Sequence, residues 1–335
     1  MRPRIAMMAG DPAGIGPELV AKLLGDPAIR ARAEIYVIAD REEFHHGMKI
    51  ADVDVPYTTA ESFEAADFAR GLPILSPHRG GVTGAFPRGR ASREGGQYCL
   101  DALRVGIELT RDGRTDALCF APLNKTSLHL AGMCQSDELH WFADQIAYRG
   151  PMGECNVLGT LWTSRVTSHV ALSEVSGLLT PQRVAEAIEL IAGVLRQNGV
   201  TRPRIAVCGL NPHNGEGGAF GREEIDIILP GIELARQRGT PADGPFPADT
   251  IFLKGRDGRY DAIVTQYHDQ GQIAMKLMGF DRGVTVAGGL PIPVTTPAHG
   301  TAFDIAGQGI ANVGAMWSAF DLACKMGLSR RHRRP

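Results

Sequence analysis

Three histidines in this chain share one setting. RVTSHV carries His169 within or at the end of a strand-like run, VCGLNPH carries His213 just past one, and VTQYH carries His268 just past another. In a parallel sheet the carboxyl ends of the strands face a common crevice, where ligands bind. Three imidazoles from separate strands could therefore converge on one metal ion. Imidazole nitrogen suits zinc, cobalt, nickel or iron, and three protein ligands with an open position is a catalytic rather than a structural arrangement. The competing reading is that each histidine only caps its strand by bonding to backbone. Asp269, beside His268, and Asp249, in PADTIF, could orient such ligands from behind. Either aspartate could equally cap a helix. If HDQGQIAMK begins a helix, Lys276 lies about two turns beyond His268 on the same face, able to bind a substrate carboxylate or relay a proton. A solvated surface lysine is the plainer alternative.

Two glycine-rich stretches accompany these residues. GDPAGIGPE (10 to 18) lies between a strand and a helix, where it could hold an anion at the helix N-terminus or simply make a tight turn. NPHNGEGGAFG (211 to 221) carries His213 and Glu216, and its glycines would let backbone approach a ligand closely. The chain has neither GxGxxG nor GxxxxGK[ST], and neither GxSxG nor HExxH. The commonest nucleotide and hydrolase signatures are thus absent.

The elements that would position these groups alternate. RIAMMAG, EIYVIAD, DALCFAP, RVTSHVAL, RIAVCGL, YDAIVTQ and GVTVAGG read as strands, with helical patterns between most of them, which predicts a mainly parallel α/β sheet. Pro17 suits a first helical turn, Thr180–Pro181 opens a long helix reaching Gln197, and a helix is expected from Ser92 to Arg111. The Gly/Pro-rich tract 71–90 reads as an extended loop or β-arm. Domain changes are expected near Met133–Asp137 and again near Thr295–Pro297.

The chain as a whole bounds the possibilities. Its 335 residues exceed one usual core, so two domains, or one large α/β unit with an insertion, are expected. A formal net charge of -2, with 44% hydrophobic and 21% charged residues, gives no bulk attraction to nucleic acid or anionic lipid. The apolar start stops at Asp11, too soon for a signal peptide, and no run approaches the ~20 residues that span a bilayer. Six scattered cysteines without CxxC favour reduced thiols, and a cytoplasmic address follows. The closing SRRHRRP reads as a frayed basic terminus.

Taken in order, GDPAGIGPE, APLNKTSLHLAG, VTSHVAL, GLNPHNGEGGAFGREE, YDAIVTQYHDQG and HGTAFDIAGQGIAN resemble the 4-hydroxythreonine-4-phosphate dehydrogenase family over nearly the full chain. HGTAFDIAGQGIAN is also similar to the nucleotide-binding loop of isopropylmalate and isocitrate dehydrogenases, which bind NAD(P) without GxGxxG. The resemblance implies an isopropylmalate-dehydrogenase-like, two-domain α/β fold with mainly parallel sheets. The first domain would span 1–135 plus 298–335 and hold the nucleotide loop. The second, 136–297, would hold the metal ligands and the interface of a homodimer, with the active site in the cleft and the metal site completed across the subunits. By matching position, His169, His213 and His268 fall on metal ligands, for zinc or a similar divalent ion, and Lys276 on a substrate-binding lysine. His299, Gly300, Thr301, Ala302, Asp304 and Asn312 fall on the cofactor loop, for NAD with NADP not excluded. Lys276, Asp249 and Asp269 are the expected catalytic group.

The implied reaction oxidises a secondary alcohol beta to a carboxylate, passes hydride to NAD, and yields a β-keto acid prone to lose carbon dioxide. The chain departs from the family at the substrate. The family's GHTE is matched by Asp137, Glu138, Leu139 and His140, and an asparagine and an arginine that grip substrate are matched by Thr285 and Val294. A lost guanidinium removes a bidentate grip on phosphate or carboxylate, and Glu138 would repel a phosphate. The expectation is a dehydrogenase of this type acting on a different small hydroxy acid, with a sugar acid or a cis-dihydrodiol carboxylate of aromatic catabolism as alternatives. A metal-dependent hydrolase or lyase without nicotinamide is the remoter one.

Overall fold

The structure, a computed structural model, describes residues 2–76 and 86–333. Residues 77–85 of the tract 71–90 therefore lie outside the described residues. Contacts divide the chain into unit 1, Met1–Arg149 with Pro291–Pro335, and unit 2, Gly150–Leu290. The strands are β1 (Arg4–Met8), β2 (Glu34–Ile38), β3 (Thr58–Thr59), β4 (Ile74–Ser76), β5 (Ala117–Phe120), β6 (Gly153–Leu158), β7 (Leu161–Arg165), β8 (Ile205–Cys208), β9 (Asp243–Phe246), β10 (Ala262–Thr265), β11 (Val284–Gly288) and β12 (Val294–Pro297).

In unit 1 the strand order is β3-β4-β2-β1-β5-β12, with each of these neighbours paired in parallel. A parallel sheet is covered on both faces, which is why β1, β2 and β5 read as unbroken apolar runs. Helix Arg93–Arg111 starts where expected, because Ser92 Oγ accepts from the amide of Gly95 at 3.0 Å. In unit 2 the order is β11-β6-β7-β10-β8-β9. Here β6 runs antiparallel to both neighbours, whereas β7, β10, β8 and β9 are parallel. Thr180 caps helix Pro181–Gln197, as its sequence indicated. The mainly parallel α/β expectation is borne out.

Four expectations are revised. RVTSHVAL is not the strand: β7 is LWTSR, and His169 lies beyond its end in irregular chain. The changeovers fall at 149/150 and 290/291 rather than near 135 and 297. Trp141 and Phe142 pull helix Glu138–Gln145 into unit 1, with Phe142 edge-on to Phe120, and β12 pairs with β5 there. The basic terminus is not frayed through Arg333, since helix Gly314–Arg333 carries Arg331 to Asp116, 3.0 Å away. Asp116 is 1% exposed, and a carboxylate buried that deeply requires a partner. All six cysteines are free. No helix among the described residues is long and apolar enough to cross a membrane.

Candidate active site

In unit 2, β7, β10 and β8 lie side by side and parallel, so their carboxyl ends emerge together. Side chains then stitch the emerging segments to one another. The hydroxyl and amide of Thr167 both donate to the carbonyl of Gln266, at 2.8 and 3.0 Å. Gln266 Nε2 donates to the carbonyl of Cys208 at 2.7 Å, and Gln270 Nε2 to that of Gly209 at 2.8 Å. Gln270 Oε1 accepts from the amide of Gln266 at 2.8 Å. These two glutamines, which sequence reasoning passed over although YHDQG contains one, fix three loops to a common frame.

That frame brings the rings of His169 and His268 to a centroid separation of 5.7 Å. His268 Nδ1 lies 2.6 Å from Asp269 Oδ1, so with Nδ1 as the donor the lone pair sits on Nε2, the tautomer a metal takes. Asp269 thus stands where the sequence placed an orienting carboxylate. The side chains present fit a divalent ion in donor chemistry. His213 is held apart from that pair, on the loop after β8. Among the described residues no three His, Cys, Asp or Glu side chains of one chain gather to hold a metal.

The His213 loop has an unusual backbone. His213, Asn214, Gly215, Glu216 and Gly217 all have positive φ, between 42° and 78°. Each non-glycine residue in that region costs about 1–2 kcal/mol, so the surroundings must enforce it. Buried Glu224 does so: its Oε1 accepts from the amides of Leu210 and Asn211, each at 2.7 Å, and its Oε2 from Asn211 Nδ2 at 3.0 Å. Glu223 adds a bond from the same Asn211 amide group at 2.7 Å. That bond and one from the Ser176 hydroxyl draw the Glu223 carboxyl below its ordinary pKa, the serine contributing most. The loop therefore presents His213 outward beside Phe220, with ring centroids 6.3 Å apart.

Lys276 falls on helix His268–Gly279, as HDQGQIAMK indicated, and is exposed. Asp249 is an exposed residue in the first turn of helix Ala248–Arg256 and does not cap it; Pro247 holds that position. Thr285 lies on β11, where its hydroxyl accepts from Asn156 Nδ2 at 3.1 Å.

Unit 1 holds the remaining residues. His299, Gly300, Thr301, Ala302, Asp304 and Asn312 form one continuous loop ahead of helix Gly314–Arg333, and Asn312 Oδ1 accepts from the amide of Gly314 at 2.8 Å. GDPAGIGPE supports this loop: the amide of Ile15 donates to the carbonyl of Thr301 at 3.1 Å. A Cβ at Gly14 would meet that carbonyl oxygen at 2.7 Å. Lys22 Nζ donates to the carbonyls of Gly309 and Ala311, both at 2.8 Å, and Glu18 Oε1 accepts from the amide of Ala311 at 2.8 Å. Of the two readings of the first glycine stretch, the structure favours the tight turn, because the amides of Asp11, Ala13, Gly14 and Ile15 all donate within the chain. Glu138 and Leu139 begin helix Glu138–Gln145, capped by Asp137. Val294 is 1% exposed within the core of unit 1, so at this position the pocket assignment gives way to a packing role.

The family model described as pyridoxal phosphate biosynthetic protein PdxA matches residues 31–323. The chain belongs to the PdxA family. This PdxA-family chain is 61% identical over 333 residues, 99% of its length and 98% of the relative's, to a Pseudomonas aeruginosa protein named "Putative 4-hydroxythreonine-4-phosphate dehydrogenase 2". It is 34% identical over 332 residues, 98% of both chains, to D-threonate 4-phosphate dehydrogenase of Cupriavidus necator. The crystal structure of 4-hydroxythreonine-4-phosphate dehydrogenase from Klebsiella pneumoniae superposes with a TM-score of 0.85 at 33% identity, covering 98% of each chain. The PdxA-type chain is accordingly a dehydrogenase, an oxidoreductase acting on a CH–OH group.

Proposed function

We propose that this dehydrogenase uses NAD and a divalent metal to oxidise the secondary alcohol of a hydroxy acid, at the carbon beta to its carboxylate. The observation that carries the reading is the paired imidazoles of His169 and His268 with Asp269 behind the second ring. Such an ion, when bound, lowers the pKa of the alcohol and supports charge on its oxygen as hydride leaves. His169, His268 and His213 would hold it. Since one chain does not gather all three, the reading includes a homodimer in which a second copy completes the set. Exposed Ile273 and Leu277, a helical turn apart on the histidine-bearing helix, and exposed Leu172 and Phe220 give that copy an apolar surface to cover.

The chain's own residues account for the other steps. Lys276 meets the substrate carboxylate with its ammonium and can return a proton to the product carbon after carbon dioxide leaves. The loop from His299 to Asn312 binds NAD through its backbone, with Glu18 and Lys22 fixing its far end. Asp249 stays available as an exposed carboxylate for proton exchange.

The substrate in this reading is a hydroxy acid other than 4-hydroxythreonine 4-phosphate. Glu138 and Leu139 replace a histidine and a threonine of the family, and Thr285 replaces an asparagine. The test is a panel containing 4-hydroxythreonine 4-phosphate, D-threonate 4-phosphate, unphosphorylated sugar acids and a cis-dihydrodiol carboxylate, with NADH formation followed by absorbance at saturating divalent metal. Turnover is expected for a panel member other than the first, and His213→Ala should abolish it while leaving the fold intact. Full activity in His213→Ala, or ordinary efficiency with 4-hydroxythreonine 4-phosphate, sinks the corresponding part.

A further inference from the structure

Arg165 ends β7, and its side chain is only 6% exposed. Its guanidinium reaches three partners at once. Nε donates to Ser168 Oγ at 3.0 Å, and Nη1 to Asn156 Oδ1 at 3.1 Å. Nη2 faces Glu154 Oε1 at 2.7 Å as an ion pair without the alignment of a hydrogen bond. Asn156 extends the contact: its Oδ1 also accepts from Gln272 Nε2 at 2.6 Å, and its Nδ2 donates to Thr285 Oγ1 at 3.1 Å.

The elements joined this way are the ones that bear the chemistry. Ser168 adjoins His169, Gln272 sits one turn before Lys276 on its helix, and Thr285 is the altered pocket position on β11. Glu154 keeps 29% of its side chain exposed, but the guanidinium is buried, and burying a charge on a face shared by β6, β7 and β11 costs more than filling it with hydrocarbon. The rigid fork of a guanidinium can serve several acceptors in fixed directions, which lysine cannot.

We propose that Arg165 is a positioning residue, the buried hub that sets His169, Lys276 and Thr285 in one geometry for the hydroxy acid and the metal. This rests on the dehydrogenase reading above. The test compares wild type with Arg165→Lys and with Arg165→Met/Glu154→Gln, the second removing both charges so that neither is left buried alone. Melting temperature, Co(II) affinity by chelator competition, and KM for hydroxy acid and for NAD are measured on each. Both variants are expected to fold, with Co(II) binding weakened about tenfold or more and the hydroxy-acid KM raised about tenfold, while the KM for NAD stays unchanged. Wild-type metal affinity and hydroxy-acid KM in the double variant would overturn the proposal, as would full recovery by lysine, which retains charge without the fork. If wild type turns over no hydroxy acid, the dehydrogenase reading fails, and the Co(II) measurement still decides the role of Arg165.

Discussion

The loop 211–221 of unit 2 turns through five successive left-handed residues, three of them bearing side chains. The loop 299–312 of unit 1 enters that region with a side chain only at Ala302. Both are glycine-rich, both belong to the candidate machinery, and both are pinned by a buried glutamate. Glu224 spends its two oxygens on amides at the root of its loop, whereas Glu18 accepts one loop amide and pairs with Lys22, 2.7 Å away. The difference follows from what each is proposed to present. A ligating imidazole has to be aimed, and an aimed side chain on a short loop justifies backbone strain. A nucleotide is met by backbone groups along a length of chain, and a relaxed loop held at its ends suffices.

The largest effect should come from removing the restraint on the strained loop. Glu224→Ala leaves the amides of Leu210 and Asn211 without their acceptor and frees the left-handed turn to relax. A loss of about 3 kcal/mol in unfolding free energy is expected from urea titration, together with loss of turnover as His213 swings away. Near wild-type stability with normal turnover would mean that the turn is set by its own sequence and not by Glu224.

These two loops also separate what a sequence reveals from what it hides. The strands of unit 1 were legible because both faces of a parallel sheet are buried, which leaves continuous apolar runs such as IAMM and ALCF. The capped starts at Ser92 and Thr180 were legible because a cap is a local bargain between a side chain and an amide three residues on. His268, Asp269 and Lys276 share a helix, so their relation could be read from helical spacing. Gln266, Glu224 and Arg165 could not be found that way. Their partners are Cys208, Leu210 and Asn156, and neither charge nor periodicity in a single sequence pairs residues across strands. RVTSHVAL reads as a strand because β-branched residues continue past Arg165, where β7 ends.

The relaxed loop should respond more mildly and in a different observable. Lys22→Met removes donors to the carbonyls of Gly309 and Ala311 and leaves Glu18 buried without its partner. About 2 kcal/mol of stability should be lost, and calorimetry should register weaker NAD binding with the hydroxy-acid KM unchanged. If metal affinity fell instead, the proposed assignment of 299–312 to the nucleotide would be the part to abandon.

The smallest effect concerns the carboxylate at the root of GDPAGIGPE. Asp11 is buried; its Oδ1 accepts from the amide of Ala13 at 2.9 Å, but Oδ2 has no hydrogen-bond partner among the described residues. Burial raises its pKa, and the Ala13 bond, the Ser127 hydroxyl nearby and the Arg88 charge offset this only in part. A carboxyl whose folded pKa is raised contributes stability that is complete below the ordinary carboxylate value and declines as pH rises through the folded one. Asp11→Asn keeps an oxygen for Ala13 and does not titrate. Urea midpoints measured from acid to neutral pH should therefore show the variant gaining on wild type as pH rises, then a constant gap once Asp11 is fully ionised. A gap independent of pH would mean that Asp11 ionises as easily in the fold as in the unfolded chain. In that case the orphaned oxygen would have to be solvated, and the contrast with the fully engaged Glu224 would disappear.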